Sequence, residues 1–200
     1  AAELAKRPIQ YDTGFTLLPG KYTIKFLARD NETGRIGTYL SRFVIPNLNK
    51  ETKRIPVSSV VLSSQRVDLK DALYNALKQK DRAESANPLV ENGQKLIPSV
   101  TRVFRRDREL FVYLQAYRPE ASESQPVIAF ATFYRGRTKA FETSPSALTG
   151  GWDNRLKTLP VKFSIPLSNL SAGEYTCQVT LLDPTTSKAA FWQAPIRIIE

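Results

Sequence analysis

One supersecondary unit occurs twice in this chain, near its two ends. Residues 19–46 and 172–199 align without a gap at an offset of 153 residues. Both copies keep the same alternation of apolar and polar residues over these 28 positions. Six positions are identical: Gly20/Gly173, Tyr22/Tyr175, Thr23/Thr176, Asp30/Asp183, Thr33/Thr186 and Ile45/Ile198. Because alternation with period two is typical of a half-buried β-strand, the repeat predicts a tandem of β modules.

Each copy is predicted to form a β-hairpin of two long strands. The turn sequences are DNETG in the first copy and DPTTS in the second, and both are rich in turn-forming residues. One face of each hairpin is predicted to lie in a core. These faces comprise Tyr22, Ile24, Phe26, Ala28, Tyr39, Ser41, Phe43 and Ile45 in the first copy, and Tyr175, Cys177, Val179, Leu181, Trp192, Ala194, Ile196 and Ile198 in the second.

A tyrosine opens the first strand of each hairpin, two residues after a glycine. In immunoglobulin-like sandwiches a tyrosine at this place turns its hydroxyl back onto an upstream backbone group. We therefore predict that Tyr22 and Tyr175 anchor their hairpins in this way, and that Gly20 and Gly173 relax the turns before them.

The sequence before the second hairpin contains enough strands for a complete sandwich. Candidate strands lie at 100–105, 109–118, 126–135, 138–143 and 160–167, whereas 119–125 and 144–154 read as loops. With the hairpin this gives seven or eight strands, the number that an antiparallel sandwich needs. We predict an all-β fold with an immunoglobulin-like antiparallel β-sandwich over residues 95–200.

The first copy lacks such a set of upstream strands. Only residues 9–17 alternate before it, so residues 1–56 are predicted to be the C-terminal part of a β-sandwich module. Either the rest of that module lies outside this sequence, or the hairpin completes its core against the second module. Residues 57–94 are predicted to be a connecting segment with one short helix, since apolar residues recur at helical spacing from Leu69 to Leu77.

Composition narrows the function classes. The chain has no histidine, which excludes His-based catalytic triads and His metal ligands. Its single cysteine, Cys177, excludes an intrachain disulfide and is expected to be a buried apolar residue. No P-loop, nucleophile elbow or dinucleotide motif is present. We predict a non-enzymatic protein without cofactor or metal. The net charge of +10 is spread along the chain, so nucleic-acid binding is not expected.

Aromatic residues lie on the side of two strands that is opposite their predicted core face. Leu110, Val112, Leu114 and Ala116 can face the core, which leaves Phe111, Tyr113 and Tyr117 on the other side. Tyr134 is placed similarly on the next strand. Aromatic side chains on the outer face of a sheet are expected to be covered by a further layer of protein. The cover is either another part of this chain or a partner, and we predict a possible interaction face made of Phe111, Tyr113, Tyr117 and Tyr134.

The first hairpin carries a recognisable turn pattern. Leu18, Pro19, Gly20 and Tyr22 are followed by Arg29, Asp30, Thr33, Gly34, Gly37 and Thr38, and then by Val44 and Pro46. This pattern, together with residues 57–65 and 87–117, resembles the C-terminal region of the acidobacterial von Willebrand factor A-related proteins. The resemblance implies an extracytoplasmic protein with a von Willebrand A domain upstream. No D-x-S-x-S metal-site pattern occurs in this sequence, so no functional residue is transferred.

These observations together predict a structural or interaction module of a larger secreted or cell-surface protein. It would contact a protein partner or a neighbouring domain of the same protein, whose identity the sequence does not give. The alternative is a carbohydrate-binding β-sandwich that uses exposed aromatic residues. There is no run of 18 apolar residues, so no transmembrane segment is expected.

Overall fold

The computed structural model describes residues 17–68, 87–117, 126–153 and 157–200, apart from the side chain of Asn49. The chain divides into two compact units, Ala1–Asn47 and Leu48–Glu200. The predicted strand at 9–17, except for Leu17, and the predicted helix at 69–78 lie outside the described residues.

The first unit contributes one long hairpin to the described structure. Strand β1 (Gly20–Arg29) pairs antiparallel with β2 (Ile36–Ile45), from the pair Gly20 and Ile45 to the pair Arg29 and Ile36. Within the described residues these two strands form a sheet of their own. A six-residue segment, 30–35, joins them, and Gly34 in that segment has a φ of 70°.

The second unit contains the remaining described strands. They are β3 (Val61–Ser63), β4 (Arg66–Asp68), β5 (Val90–Glu91), β6 (Gln94–Leu96), β7 (Val103–Arg105), β8 (Glu109–Tyr117), β9 (Val127–Arg135), β10 (Thr138–Glu142), β11 (Ser146–Leu148), β12 (Thr158–Pro166), β13 (Gly173–Asp183) and β14 (Lys188–Ile199). Single 3-10 turns lie at Leu48–Lys50 and Leu167–Asn169, and the described residues contain no α-helix.

Two of the sheets form the sandwich of the second unit. The larger has the strand order β10-β9-β13-β14-β7, and β11 joins it by pairing with β9. The smaller has the order β12-β8-β3. All pairs are antiparallel except β14 with β7. A third small sheet has the order β4-β6-β5. This arrangement confirms the all-β, immunoglobulin-like sandwich.

The core lies between the inner faces of the two sandwich sheets. Alternate residues of each long strand point inward, as period two requires. The buried set includes Leu110, Val112, Leu114 and Ala116 of β8, Val127, Ala129, Ala131 and Phe133 of β9, Val161 and Ile165 of β12, and Tyr175, Cys177, Val179 and Leu181 of β13. The predicted core faces of β8 and β13 are therefore confirmed.

Two segments differ from the prediction. The stretch 144–154, predicted as a loop, contains β11, which extends the larger sheet beside Val127–Ala129. Residues of the predicted connecting segment also contribute to the second unit, because β3 pairs with β8 along Val61–Ser63. Ile55, from the predicted segment 1–56, lies in the same core. These strands have two or three residues each, too few for an alternation to be visible in the sequence.

The two hairpins share their anchoring geometry. The Tyr22 hydroxyl donates a hydrogen bond to the Leu18 carbonyl oxygen at 2.7 Å, and Tyr175 donates to the Ser171 carbonyl oxygen at 2.9 Å. Leu18 and Ser171 are themselves 153 residues apart, so the predicted tyrosine anchor is confirmed in both copies. The paired registers are also identical, since every pair in β1 and β2 maps onto a pair in β13 and β14 at the same offset.

The second anchor has an additional contact that explains its glycine. Arg135 of β9 donates from Nη2 to the Ala172 carbonyl oxygen at 2.8 Å, and its guanidinium lies 5.4 Å from the centre of the Tyr175 ring. Gly173 has a φ of 149°, and a Cβ atom there would clash with the Arg135 guanidinium. No positive φ is found at Gly20, so the backbone conformation favours a glycine in the second copy alone.

We expect Tyr175→Phe to lower the free energy of unfolding of the second unit by about 1–2 kcal/mol, since it leaves a partly buried carbonyl without its donor. Urea denaturation followed by tryptophan fluorescence measures the change. Tyr22→Phe is the matched control, because its hydrogen bond is exposed and its loss affects the first unit. An unchanged midpoint for Tyr175→Phe would show that the hydroxyl is not an anchor.

Candidate functional site

The inner face of the first hairpin carries two pairs of aromatic side chains. Tyr22 and Phe43 lie across from each other with ring centres 5.8 Å apart and nearly parallel planes. Phe26 and Tyr39 form the second pair at 6.5 Å. Ile24 lies between the two pairs on β1, and this face has no charged residue. The hairpin thus presents a continuous apolar and aromatic surface.

This surface is open to solvent, which the sequence did not predict. Phe26 is 43% exposed and Tyr39 is 66% exposed. The equivalent positions in the second copy, Val179 and Trp192, are respectively buried and packed against the core. The prediction that the apolar face lies in a core is therefore confirmed for the second copy, and for the first copy, whose face is exposed within the described structure, it stays a prediction. Periodicity identifies the apolar face of a strand but not the layer that covers it.

The four residues of the predicted interaction face do not lie together. Phe111, Tyr113 and Tyr117 share the outer face of β8 in the smaller sheet, whereas Tyr134 lies on β9 in the larger sheet. Tyr113 is only 9% exposed, and the others are half-buried. Burial raises the pKa of Tyr113 and of Tyr117. A contact role for Phe111, Tyr113, Tyr117 and Tyr134 stays a prediction.

The small sheet β4-β6-β5 lies beside the outer face of β8. The Arg66 guanidinium lies 4.2 Å from the centre of the Phe111 ring, a cation–π contact. Lys162 of β12 forms an ion pair with Glu91 of β5 at 2.5 Å. A cleft of about 80 Å³ between these elements is lined by Leu89, Leu96, Phe111, Tyr113 and Phe163 among others. Arg66 and Glu91 were not predicted from the sequence, because strands this short leave no periodic signal.

That cleft is small for a substrate site. Pockets for drug-sized ligands are typically about 300–1,000 Å³. A cleft of about 80 Å³ holds a few water molecules or a single small group. The ion pair at its edge is solvent-exposed on both sides, so it contributes little to stability.

Acidic side chains among the described residues accept hydrogen bonds that stabilise turns, or they form ion pairs. Asp30 accepts hydrogen bonds from the backbone N–H of Glu32 at 2.9 Å and from the Thr33 hydroxyl at 2.5 Å. The Thr33 hydroxyl and these backbone groups lower the pKa of Asp30. Asp183 caps the equivalent turn of the second hairpin through the N–H groups of Thr185 and Thr186. Among the residues that the structure describes, no three His, Cys, Asp or Glu side chains are grouped to hold a metal.

The arginine-rich turn at 102–108 is partly neutralised. Arg105 donates two hydrogen bonds of 3.0 Å to the Asp107 carboxylate, which raises the pKa of the guanidinium. Arg106 lies 3.7 Å from a carboxylate oxygen of Glu200. Both side chains are solvent-exposed. This turn therefore offers less positive potential than its four arginines suggest.

Cys177 lies in the sandwich core, and burial raises the pKa of its thiol to about 12. We expect the native protein to react with a thiol reagent at pH 8 far more slowly than the protein in urea, because the thiolate is the reactive form. The folded thiol keeps its proton up to a higher pH than the unfolded one, whose pKa is near 9. Ionisation of this thiol in the unfolded state therefore lowers the free energy of unfolding as the pH rises from about 9 to about 12. Equal reactivity in both states would contradict its burial.

The described part of the chain contains no helix of the length and apolar character needed to cross a membrane. In comparisons with known proteins, no family model matches the sequence, and no curated protein matches it significantly.

Proposed function

We propose that this chain is a non-enzymatic structural and interaction module of a larger secreted or cell-surface protein. Its first hairpin contacts a partner protein or a neighbouring domain through the apolar inner face. The observation that supports this proposal most directly is that this face is exposed, whereas the same face of the second hairpin forms part of a core. A two-stranded hairpin is marginally stable alone, and exposed apolar faces of this kind mark interaction sites.

Several features favour binding over catalysis. The chain has no histidine, and its single thiol is buried with a raised pKa. General acid–base and nucleophilic catalysis at neutral pH need groups whose pKa lies near the working pH. The pKa shifts of Asp30, Glu142 and Arg105 instead stabilise their charged forms through turns and ion pairs.

The proposed location is extracytoplasmic. Its support is the resemblance of Leu18–Tyr22, Arg29–Thr38 and Val44–Pro46 to the von Willebrand factor A-related proteins. In that setting the sandwich units would act as spacers, and an upstream domain would carry any metal-dependent adhesion. The hairpin would then connect the sandwich to its neighbour.

The test compares partner retention by three variants of the full chain. Phe26→Ser with Tyr39→Ser removes one aromatic pair from the hairpin face, and Phe191→Ser removes an exposed ring from the outer face of β14. Proteins retained from the native source are quantified for each by mass spectrometry. We expect the double variant to lose specific partners that the wild type and Phe191→Ser keep. Equal retention by all three would refute an interaction role for this face.

A carbohydrate-binding function is the second candidate. The two aromatic pairs on the hairpin favour it, because exposed aromatic rings present flat apolar surfaces with polar tyrosine tips. Titration with a panel of soluble glycans, followed by intrinsic fluorescence, tests this alternative. Binding that disappears in the Phe26→Ser and Tyr39→Ser double variant would establish it over a protein partner.

A further inference from the structure

The two faces of the first hairpin differ in charge. The inner face is uncharged, as described above. The outer face carries Lys21, Lys25, Arg29 and Arg42 together with aliphatic residues, and it has no acidic residue. The corresponding face of the second hairpin has one acid, Glu174, and one base, Arg197. A partner of the first hairpin therefore meets an apolar face on one side and a basic face on the other.

The second hairpin shows what surrounds the same unit when it is part of a sandwich. Strand β9 pairs antiparallel with β13 along Thr176–Leu182. At an offset of 153 residues this stretch corresponds to Thr23–Arg29 of β1. Residues of β8 and β12 cover the inner face of the second hairpin in the shared core. The first hairpin has the same register but no third strand within the described residues.

The edge of β1 has the backbone groups needed to accept a strand. The Asp30 N–H donates to the Arg35 carbonyl oxygen at 2.9 Å, which closes the hairpin ladder. The backbone N–H and C=O groups of successive residues in a strand point to opposite edges. Asp30 and the even-numbered residues of β1 therefore form hydrogen bonds with β2. Lys21, Thr23, Lys25 and Leu27 therefore direct their N–H and C=O groups to the open edge. Within the described residues no strand pairs with this edge, and an unpaired edge of this length is a template for another strand.

We infer that the edge Thr23–Arg29 accepts an antiparallel β-strand from a partner polypeptide, with apolar residues on its inner side and acidic residues on its outer side. This inference rests on the proposed function and specifies its partner. The apolar side would extend the surface of Tyr22, Ile24 and Phe26, and the acidic side would lie next to Lys25 and Arg29. A second copy of this chain fits poorly, because antiparallel pairing of two β1 strands places Lys25 opposite Lys25 and Lys21 opposite Arg29.

The probe is a synthetic peptide based on the strand that fills this place in the second unit. It has the sequence of residues 126–135 with Ile128→Glu and Thr132→Glu. In the register of β9 on β13, these two positions pair with Leu182 and Gln178, which correspond to Arg29 and Lys25. A second peptide carries Ile128→Lys and Thr132→Lys and is otherwise identical. The pair of probes therefore differs only in the charge beside the basic face.

We expect the glutamate peptide to bind the full chain and to slow hydrogen exchange at Thr23, Lys25 and Leu27. The lysine peptide should bind about tenfold more weakly, because opposite charges in cross-strand pairs stabilise a sheet and like charges destabilise it. The chain with Lys25→Glu and Arg29→Glu should reverse this preference. Both substituted side chains are exposed, so the variant keeps its fold.

Three outcomes would overturn the inference. They are no binding of the glutamate peptide at millimolar concentration, binding without protection of the β1 amides, and concentration-dependent dimerisation of the free chain by sedimentation. If the peptide fails while Phe26→Ser with Tyr39→Ser still loses specific partners, the face is used without strand addition, and the proposed function stands. If both experiments fail, the hairpin is not an interaction site.

Discussion

Replacing Phe133 with alanine is expected to lower the free energy of unfolding of the second unit by about 3–5 kcal/mol. Phe133 is fully buried between the two sheets, and its ring centre lies 6.0 Å from that of Phe141. Removal of the ring leaves a cavity that the paired strands on both sides of β9 cannot close. Urea denaturation at constant pH measures the loss. Since domains are typically stable by about 5–15 kcal/mol, much of the total is removed.

Phe191→Ala is the matched control for this prediction. Phe191 lies on β14 in the same sheet, but its side chain is on the outer face and is 65% exposed. Its replacement should change the free energy of unfolding by no more than about 0.5 kcal/mol. Similar losses for Phe133→Ala and Phe191→Ala would mean that the two faces of the larger sheet are not core and surface as the structure has them.

Tyr113→Ser has the second large expected effect, a loss of about 2–4 kcal/mol in the free energy of unfolding. Tyr113 lies on the outer face of β8, yet only 9% of it is exposed beside the small sheet β4-β6-β5. The substitution distinguishes a ring that stabilises the fold from one that binds a partner. Thermal and urea denaturation of the full chain measure the change.

Tyr134→Ser is the comparison for Tyr113→Ser. Tyr134 lies on the outer face of the larger sheet, is half-buried, and pairs across strands with Thr176. We expect a loss under about 1 kcal/mol there, because less apolar surface returns to water. If Tyr113→Ser keeps the stability of the wild type, Tyr113 belongs to a contact surface instead of the covered layer.

The long strands of this fold are predictable from sequence. In β13 apolar and polar residues alternate, and in β8 aliphatic residues alternate with aromatic or polar ones, which identifies both strands and their inner faces. The offset of 153 residues also predicted the shared tyrosine anchor, because a hydroxyl at Tyr22 or Tyr175 reaches a carbonyl four residues earlier. Local chemistry of this kind depends on few residues and is visible in a single sequence.

Other features depend on contacts between distant segments. Strand β11 was predicted as a loop, since three residues carry no alternation and its pairing with β9 defines it. The contact of Arg66 with Phe111 likewise joins residues far apart in the chain. The exposure of the apolar face of the first hairpin likewise depends on which other segments lie beside it. The first hairpin has the same apolar pattern as the buried second hairpin, and only the layers around the two hairpins differ.

Hydrogen exchange of the free full-length chain tests the central claim most directly. The claim is that the two hairpins are equivalent units, of which the second is held in a sandwich and the first has an open face and edge. We predict that interior amides of β13 and β14 exchange only through global unfolding, whereas those of β1 and β2 exchange many-fold faster through local opening. Protection of β1 and β2 equal to that of β13 and β14 would contradict the account.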